Sequence, residues 1–247
     1  MNKTSSTFEK FSRSNWLILL LFGTVGQIAW SVENMYFNLF VYDTIAPDLD
    51  TVTLMVQLSG IMATVATLIA GVFSDKVGNR RSFISWGYAI WGVTVAMFGF
   101  MSPELTATVF GMPLDKAIGV TLALVVIGDC IMTLFGSTAN DAAFNAWLTD
   151  STDSTNRGAA EGINAMMPLM AILVVFGGFM AFDLNNASSW TAIFLIIGGI
   201  VFVIGILGIF LIKDNVILQA ENKNWFANIF YGFRPSVIKK NPILYIT

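Results

Sequence analysis

The stretch Gly71-Val72-Phe73-Ser74-Asp75-Lys76-Val77-Gly78-Asn79-Arg80-Arg81 decides how this chain is read. It is a short charged connection between two long apolar runs, residues 52–73 and 83–101. Each run has about the 20 residues that a helix needs to cross the hydrocarbon of a bilayer. A turn this short makes the two helices antiparallel neighbours. Its glycines permit the reversal, and Arg80 and Arg81 cannot follow the chain into lipid.

Composition agrees with that reading. Apolar residues make up 55% of the 247 positions and charged residues 12%, about half the charged share of a soluble domain. The mean hydropathy is +0.71. The class is an all-α polytopic membrane protein. One cysteine, Cys130, leaves no disulfide or cysteine-based metal site, and the absence of histidine removes the usual neutral-pH proton shuttle. No phosphate-binding loop, zinc spacing or nucleophile motif is present, so neither enzymatic activity nor a cofactor is expected, and no nucleic-acid partner. The polar start of the chain runs into a full-length span and does not read as a cleaved signal peptide.

Six spans are expected, over residues 16–42, 52–73, 83–101, 117–148, 159–182 and 190–212. The first and fourth exceed a bilayer's thickness and should tilt or project into water. Lys3, Lys10 and Arg13 precede the first span, Lys76, Arg80 and Arg81 follow the second, Arg157 follows the fourth, and Lys213, Lys223, Arg234, Lys239 and Lys240 follow the sixth. The alternate loops hold only Lys116 against Asp43, Asp48, Asp50, Glu104, Asp115 and Asp183. Basic residues stay inside, so residues 1–15 form a cytoplasmic N-terminus of a protein in the cell membrane. Residues 16–212 form the bundle, and 213–241 a cytoplasmic linker. There Trp225, Phe226, Ile229, Phe230 and Phe233 fall at helical spacing, as in a helix lying on the membrane. Residues 242–247 begin another apolar run, the expected start of a seventh span.

The spacing G-x-x-x-D-x-x-G-x-R-R, placed between a second and a third span, resembles the loop signature of the major facilitator superfamily. That resemblance implies the N-terminal half of a twelve-helix carrier, two inverted three-helix repeats with a substrate site between halves. It also implies a second six-helix half, from the same gene, a separate chain or a second copy. Gly71, Asp75, Gly78, Arg80 and Arg81, together with Arg157, would then form a conformational latch, with Gly71 allowing close helix contact. Arg157, with Asp150, Asp153 and Glu161, reads as a second charged turn related to the first by the internal repeat.

Polar side chains inside a membrane are costly and face a cavity or a partner, so they mark the candidate site. Span one carries Gln27, Trp30, Glu33, Asn34, Tyr36 and Asn38. Glu33 with Tyr36, and Asn34 with Asn38, share helix faces. In span four, Asp129, Thr133 and Asn140 repeat at the helical period, while Ser137, Asp141 and Asn145 form an offset stripe. A carboxyl beside amides and an aromatic ring suits sugar hydroxyls and the sugar's apolar face. Glu33, Asp129 and Asp141 are the candidates for proton coupling.

The run from Asn140 to Asp150, leading to Arg157, resembles helix four and the following loop of the glycoside–pentoside–hexuronide:cation symporters, as does Phe22-Gly23-x-x-Gly26. The resemblance makes Asp141 the sugar-binding aspartate. The family's other sugar-binding aspartate falls at Ile28 and its cation-binding pair at Ala63 and Thr67, so the resemblance supports proton rather than sodium coupling. The expected partners are a small solute, a proton and the lipid bilayer, in a bacterial cell membrane. A proton-linked exporter of amphipathic compounds and a non-transporting membrane module stand as alternatives.

Overall fold

The computed structural model describes residues 11–213, which are helical throughout apart from short turns. The expected features at 213–241 and 242–247 lie outside the described residues, apart from Lys213 itself. We number the helices α1 (Arg13–Ile45), α2 (Leu49–Val77), α3 (Arg80–Phe98), α4 (Pro103–Phe110), α5 (Leu114–Ser151), α6 (Arg157–Phe179) and α7 (Ala187–Leu211). Five of them are long and apolar enough to span a bilayer, and α3 with α4, bent by 92° at their junction, counts as a sixth if the pair is taken as one span. Each of the six expected spans falls on one of these helices, the third on α3. The sequence reading missed α4, an eight-residue helix capped by Ser102 with Pro103 in its first turn.

Local chemistry sets the ends. The Asp48 carboxylate accepts from the Asp50 and Thr51 amides and starts α2, and the Asn79 side chain accepts from Ser82 and starts α3. Between them Gly78 takes φ +68 and closes α2, a conformation open to glycine without strain. The charged stretch is therefore a cap-to-cap turn. It does not make α2 and α3 packed neighbours, as the short connection suggested; they barely touch. A turn fixes where two helix ends meet, but side-chain packing decides where the axes go.

The main packing is α3 on α7, α1 on α6 and α7, and α5 on α2 and α3. This pattern maps onto itself when α1, α2 and α3 are exchanged with α5, α6 and α7. It is the two-fold arrangement of inverted three-helix repeats. Under that exchange the turn before Arg157 corresponds to the turn between α1 and α2, not to the one before Arg80. The expected repeat relation between the two charged turns is thus corrected, because an inverted repeat places equivalent turns on opposite faces.

Aromatic rings fill the interior. Phe22, Phe37, Tyr88, Trp91, Phe98, Phe144, Trp147 and Trp190 are buried to within 2% of complete burial. By contrast, α2 and α6 expose apolar side chains along much of their length, including Ile61, Val65, Ile69, Leu169, Leu173 and Phe176. Such faces suit lipid tails or another apolar bundle.

Candidate functional site

A cavity of about 510 Å³ opens between α1, α2 and α5. Gln27, Trp30, Glu33, Asn34 and Asn38 reach it from α1, and Asp129, Thr133 and Asp141 from α5. Eight of the eleven residues expected at a binding site therefore share one wall system. The sequence reading missed the contribution of Phe37 and of α2, which adds Met55, Val56, Ser59, Gly60 and Ala63. Only small and apolar side chains line it from α2, and no charge or amide there marked the helix in advance.

Two carboxyl groups lie on the cavity wall, and one of them is tied across it by a hydroxyl. Thr133 donates a hydrogen bond of 3.1 Å to Glu33 Oε1, linking α5 to α1. Asp129 lies one helical turn before Thr133 and is 2% exposed, with Ser59 of α2 beside it. Among the described residues, the second Glu33 oxygen, Asp129 Oδ1, Ser137 Oγ and the Trp30 indole nitrogen are buried without a hydrogen-bond partner. Buried polar atoms usually find a partner, so such a cluster marks a place meant for water, a proton or a ligand. Among the described residues no lysine or arginine lines the cavity.

The backbone explains why these side chains converge. Residues Glu33–Phe37 and Val41–Ile45 in α1, and Ser137–Phe144 in α5, are wound as π-helix inside longer α-helices. In a regular helix, Asn140 falls beneath Asp129 and Thr133 about three turns along. The wider π-helical winding turns less per residue, so the face slips by about one position. Asp141 takes the cavity position, and Asn140 is displaced into the packing.

Three expected site residues therefore lie elsewhere. Asn140 is buried, donates to Asp141 Oδ1 at 3.0 Å, and accepts from the Tyr88 hydroxyl at 2.8 Å. That hydroxyl also lies 2.8 Å from the Phe22 carbonyl, so it ties α3 to both α1 and α5. Asn145 donates to the Asp141 carbonyl and accepts from Asn164 of α6. Tyr36 stacks on Phe179 of α6 with ring centroids 3.9 Å apart, swung off the Glu33 face by the wide turn. The paired glycines of span one are explained by packing. A methyl group at Gly23 would sit 2.2 Å from Met167 Sδ, and one at Gly26 would sit 2.4 Å from Asn140 Oδ1. Gly136 likewise leaves room for the Trp30 and Trp91 rings against α5.

At the other end of α5, Arg80 is 5% exposed and binds three groups. It pairs with Asp75 at 2.6 Å and Asp150 at 3.0 Å, and donates to Ser74 Oγ at 2.6 Å. It therefore clamps the ends of α2 and α5 to the start of α3. One expectation is corrected here. Gly71 mediates no close contact among the described residues, since a methyl group there would meet nothing within 4 Å. In the second charged turn Asp150 is held by Arg80, while Arg157 lies near Asp153. It donates to the Thr149 carbonyl at 2.8 Å and to Thr152, capping the end of α5 as a cation can. Arg81 is exposed at the same end.

The Asp153 carboxyl, in the turn after α5, is held below its usual range. The Thr155 hydroxyl contributes most, then the Thr155 and Asn156 environment and nearby Arg157. Among the described residues no group of histidine, cysteine or acidic side chains could hold a metal ion.

No curated protein and no solved structure matches the chain at a significant level. A family model does: the Major Facilitator Superfamily, over residues 10–247. With that match covering nearly the whole sequence, and six spans arranged as inverted triplets around a polar cavity, the chain belongs to the Major Facilitator Superfamily, whose general activity is secondary transport across membranes.

Proposed function

We propose that the cavity between α1, α2 and α5 binds a small polar solute, of the size and polarity of a sugar or glycoside, and moves it together with a proton. The observation that carries this reading is the convergence of Glu33, Asp129 and Asp141 on one cavity that also presents Gln27, Asn34, Asn38 and the Trp30 indole. Amides and carboxyls supply directional bonds to hydroxyls, and the indole offers a flat apolar face. The volume lies in the range of about 300–1,000 Å³ seen for small-molecule sites. A carboxyl that takes up a proton loses its charge and the cost of keeping that charge from water. With no cation on the lining among the described residues, a proton is the simplest neutralising partner. Alternating access needs a second bundle for this one to move against, and the exposed apolar faces of α2 and α6 are suited to meet one.

A second reading, export of amphipathic cations, is favoured by the apolar part of the lining, Phe37, Met55 and Val56, opposite three acids. Uptake into membrane vesicles from cells expressing the full carrier separates the two. Labelled glycosides should accumulate when an inward proton gradient is imposed. Asp141→Asn should reduce that accumulation tenfold or more, as loss of a charged hydrogen-bond partner does. Glycoside uptake indifferent to both the gradient and the substitution, with a lipophilic cation moved instead, would overturn the sugar reading.

A further inference from the structure

Among the described helices, α4 belongs to neither triplet and connects the two. Its neighbour α3 is long enough to cross by itself: 19 residues make a rod of about 29 Å, against a hydrocarbon thickness of about 30 Å. The 92° bend between α3 and α4 therefore lays α4 along the plane of the bilayer, at the end of α3 remote from Arg80. Its eight residues cover about 12 Å, so a tilt of about 20° in α3 would raise one end by only about 4 Å. That stays within the polar boundary layer of roughly 5–7 Å on each side of the hydrocarbon. The exposed charges agree. Glu104 lies on α4, Asp115 and Lys116 follow at the start of α5, and charged groups are costly to leave in lipid.

α4 presents three sides. Pro103 and Thr106 are buried against the bundle, and the Thr121 hydroxyl of α5 donates to Thr106 Oγ1 at 2.8 Å. That bond is buried too, so the roll of α4 about its own axis is fixed. Of the remaining residues, Glu104 and Thr108 share one exposed side. Leu105 and Val109 share another, about 100° away at 3.6 residues per turn. Phe100, just before the helix, and Phe110, at its end, are exposed as well. A short helix in the membrane plane, polar on one flank and apolar on the next, has the form of a helix seated in the interface.

We propose that α4 is an interfacial helix that holds the junction of the two triplets at a fixed depth. Leu105 and Val109 enter the acyl-chain boundary of the bilayer, and Glu104 and Thr108 stay in the headgroup water. The inference is independent of what the central cavity carries. The partner is lipid rather than protein. A stable protein interface buries about 800 Å² on each side, and α4 offers one strip of two aliphatic side chains with a ring at either end. α3 also exposes Val93 and Met97 in its last turns, an apolar surface that suits lipid tails at the same end.

Electron paramagnetic resonance of spin labels on the full chain, reconstituted in lipid nanodiscs, tests it. Cysteines are introduced singly into a Cys130→Ser background as Glu104→Cys, Leu105→Cys, Thr108→Cys and Val109→Cys. All four positions are exposed, so the labels leave the packed interior undisturbed. Oxygen concentrates in hydrocarbon and a nickel chelate stays in water. The ratio of oxygen to nickel accessibility should be severalfold higher at 105 and 109 than at 104 and 108. Four labels with the same ratio, whether wet or greasy, would place the whole helix in water or in hydrocarbon and overturn the proposal. Labels at 105 and 109 shielded from both reagents would overturn it as well, by showing that a protein surface covers that side.

Discussion

The α3–α7 seam and the α1–α5 cavity wall are built on opposite principles. In the seam, glycines bring backbones together: a methyl group at Gly92 would lie 2.3 Å from the Phe202 nitrogen, and one at Gly205 would lie 2.4 Å from the Ala89 nitrogen. Lipid tails are as apolar as the side chains, so close backbone approach and dispersion must hold such a pair. Along the cavity the helices are interrupted by π-helical turns, and several buried polar atoms stay unpartnered. Those features cost stability and are kept where a ligand or a proton can answer them. The seam rests on close backbone contact, and most of the unpartnered buried polar atoms, though not Ser85 Oγ or Trp91 Nε1 of α3, lie along the cavity wall.

The largest effect is expected where the seam is overfilled. Gly92→Val should cost about 1–3 kcal/mol or more, because the obstacle is backbone and cannot swing aside. Gly71→Val, where nothing lies within 4 Å, should leave folding intact and serves as the matched control. Thermal unfolding of the two purified variants checks the pair. Equal losses would mean that the seam is not special.

Next comes the clamp that fastens the seam's end to the cavity helices. Arg80→Gln removes the cation shared by Asp75, Asp150 and Ser74, and should cost about 1–3 kcal/mol. The loss stays below that of a sealed ion pair because the Asp75 side chain is 57% exposed and partly screened. The same unfolding assay reads it, and a variant as stable as the parent would show that the cluster only sets topology.

The smallest effect belongs to the far end of the cavity helices, at the start of α2. The Asp48 carboxyl lies below its usual range, held there first by the Thr51 hydroxyl and then by the Thr51 amide. A depressed carboxylate contributes its capping bonds above its unfolded-state pKa, and the contribution is lost as pH falls through the lowered folded value. Hydrogen exchange at the Asp50 and Thr51 amides should therefore stay protected into mildly acidic solution and open below it. Asp48→Ala should abolish that pH dependence and leave the α3–α7 seam unchanged.

Much of the site was legible because polar residues in apolar helices are conspicuous. Glu33, Asp129, Thr133 and Asp141 stand out against their neighbours, and the cavity gathers them. Asn140 and Tyr36 were placed by a uniform 3.6-residue period, which the π-helical turns break. No composition signal announces such a turn. The α2 lining was hidden for a different reason: Gly60, Ala63 and Met55 look the same facing a cavity as facing lipid.

The residue pattern by itself determined that this chain crosses a bilayer several times, where its charged turns fall and which helices carry carboxyls, because transfer of charge into hydrocarbon is too costly to be misplaced. Only the folded bundle decided that α2 leaves α3 to pack on α5, that Asp141 rather than Asn140 faces the cavity, and that Arg80 reaches Asp150 at the end of α5. Those outcomes depend on helix rotation and on which neighbours come within reach. Both are settled by how whole surfaces fit, and a one-dimensional period does not contain them.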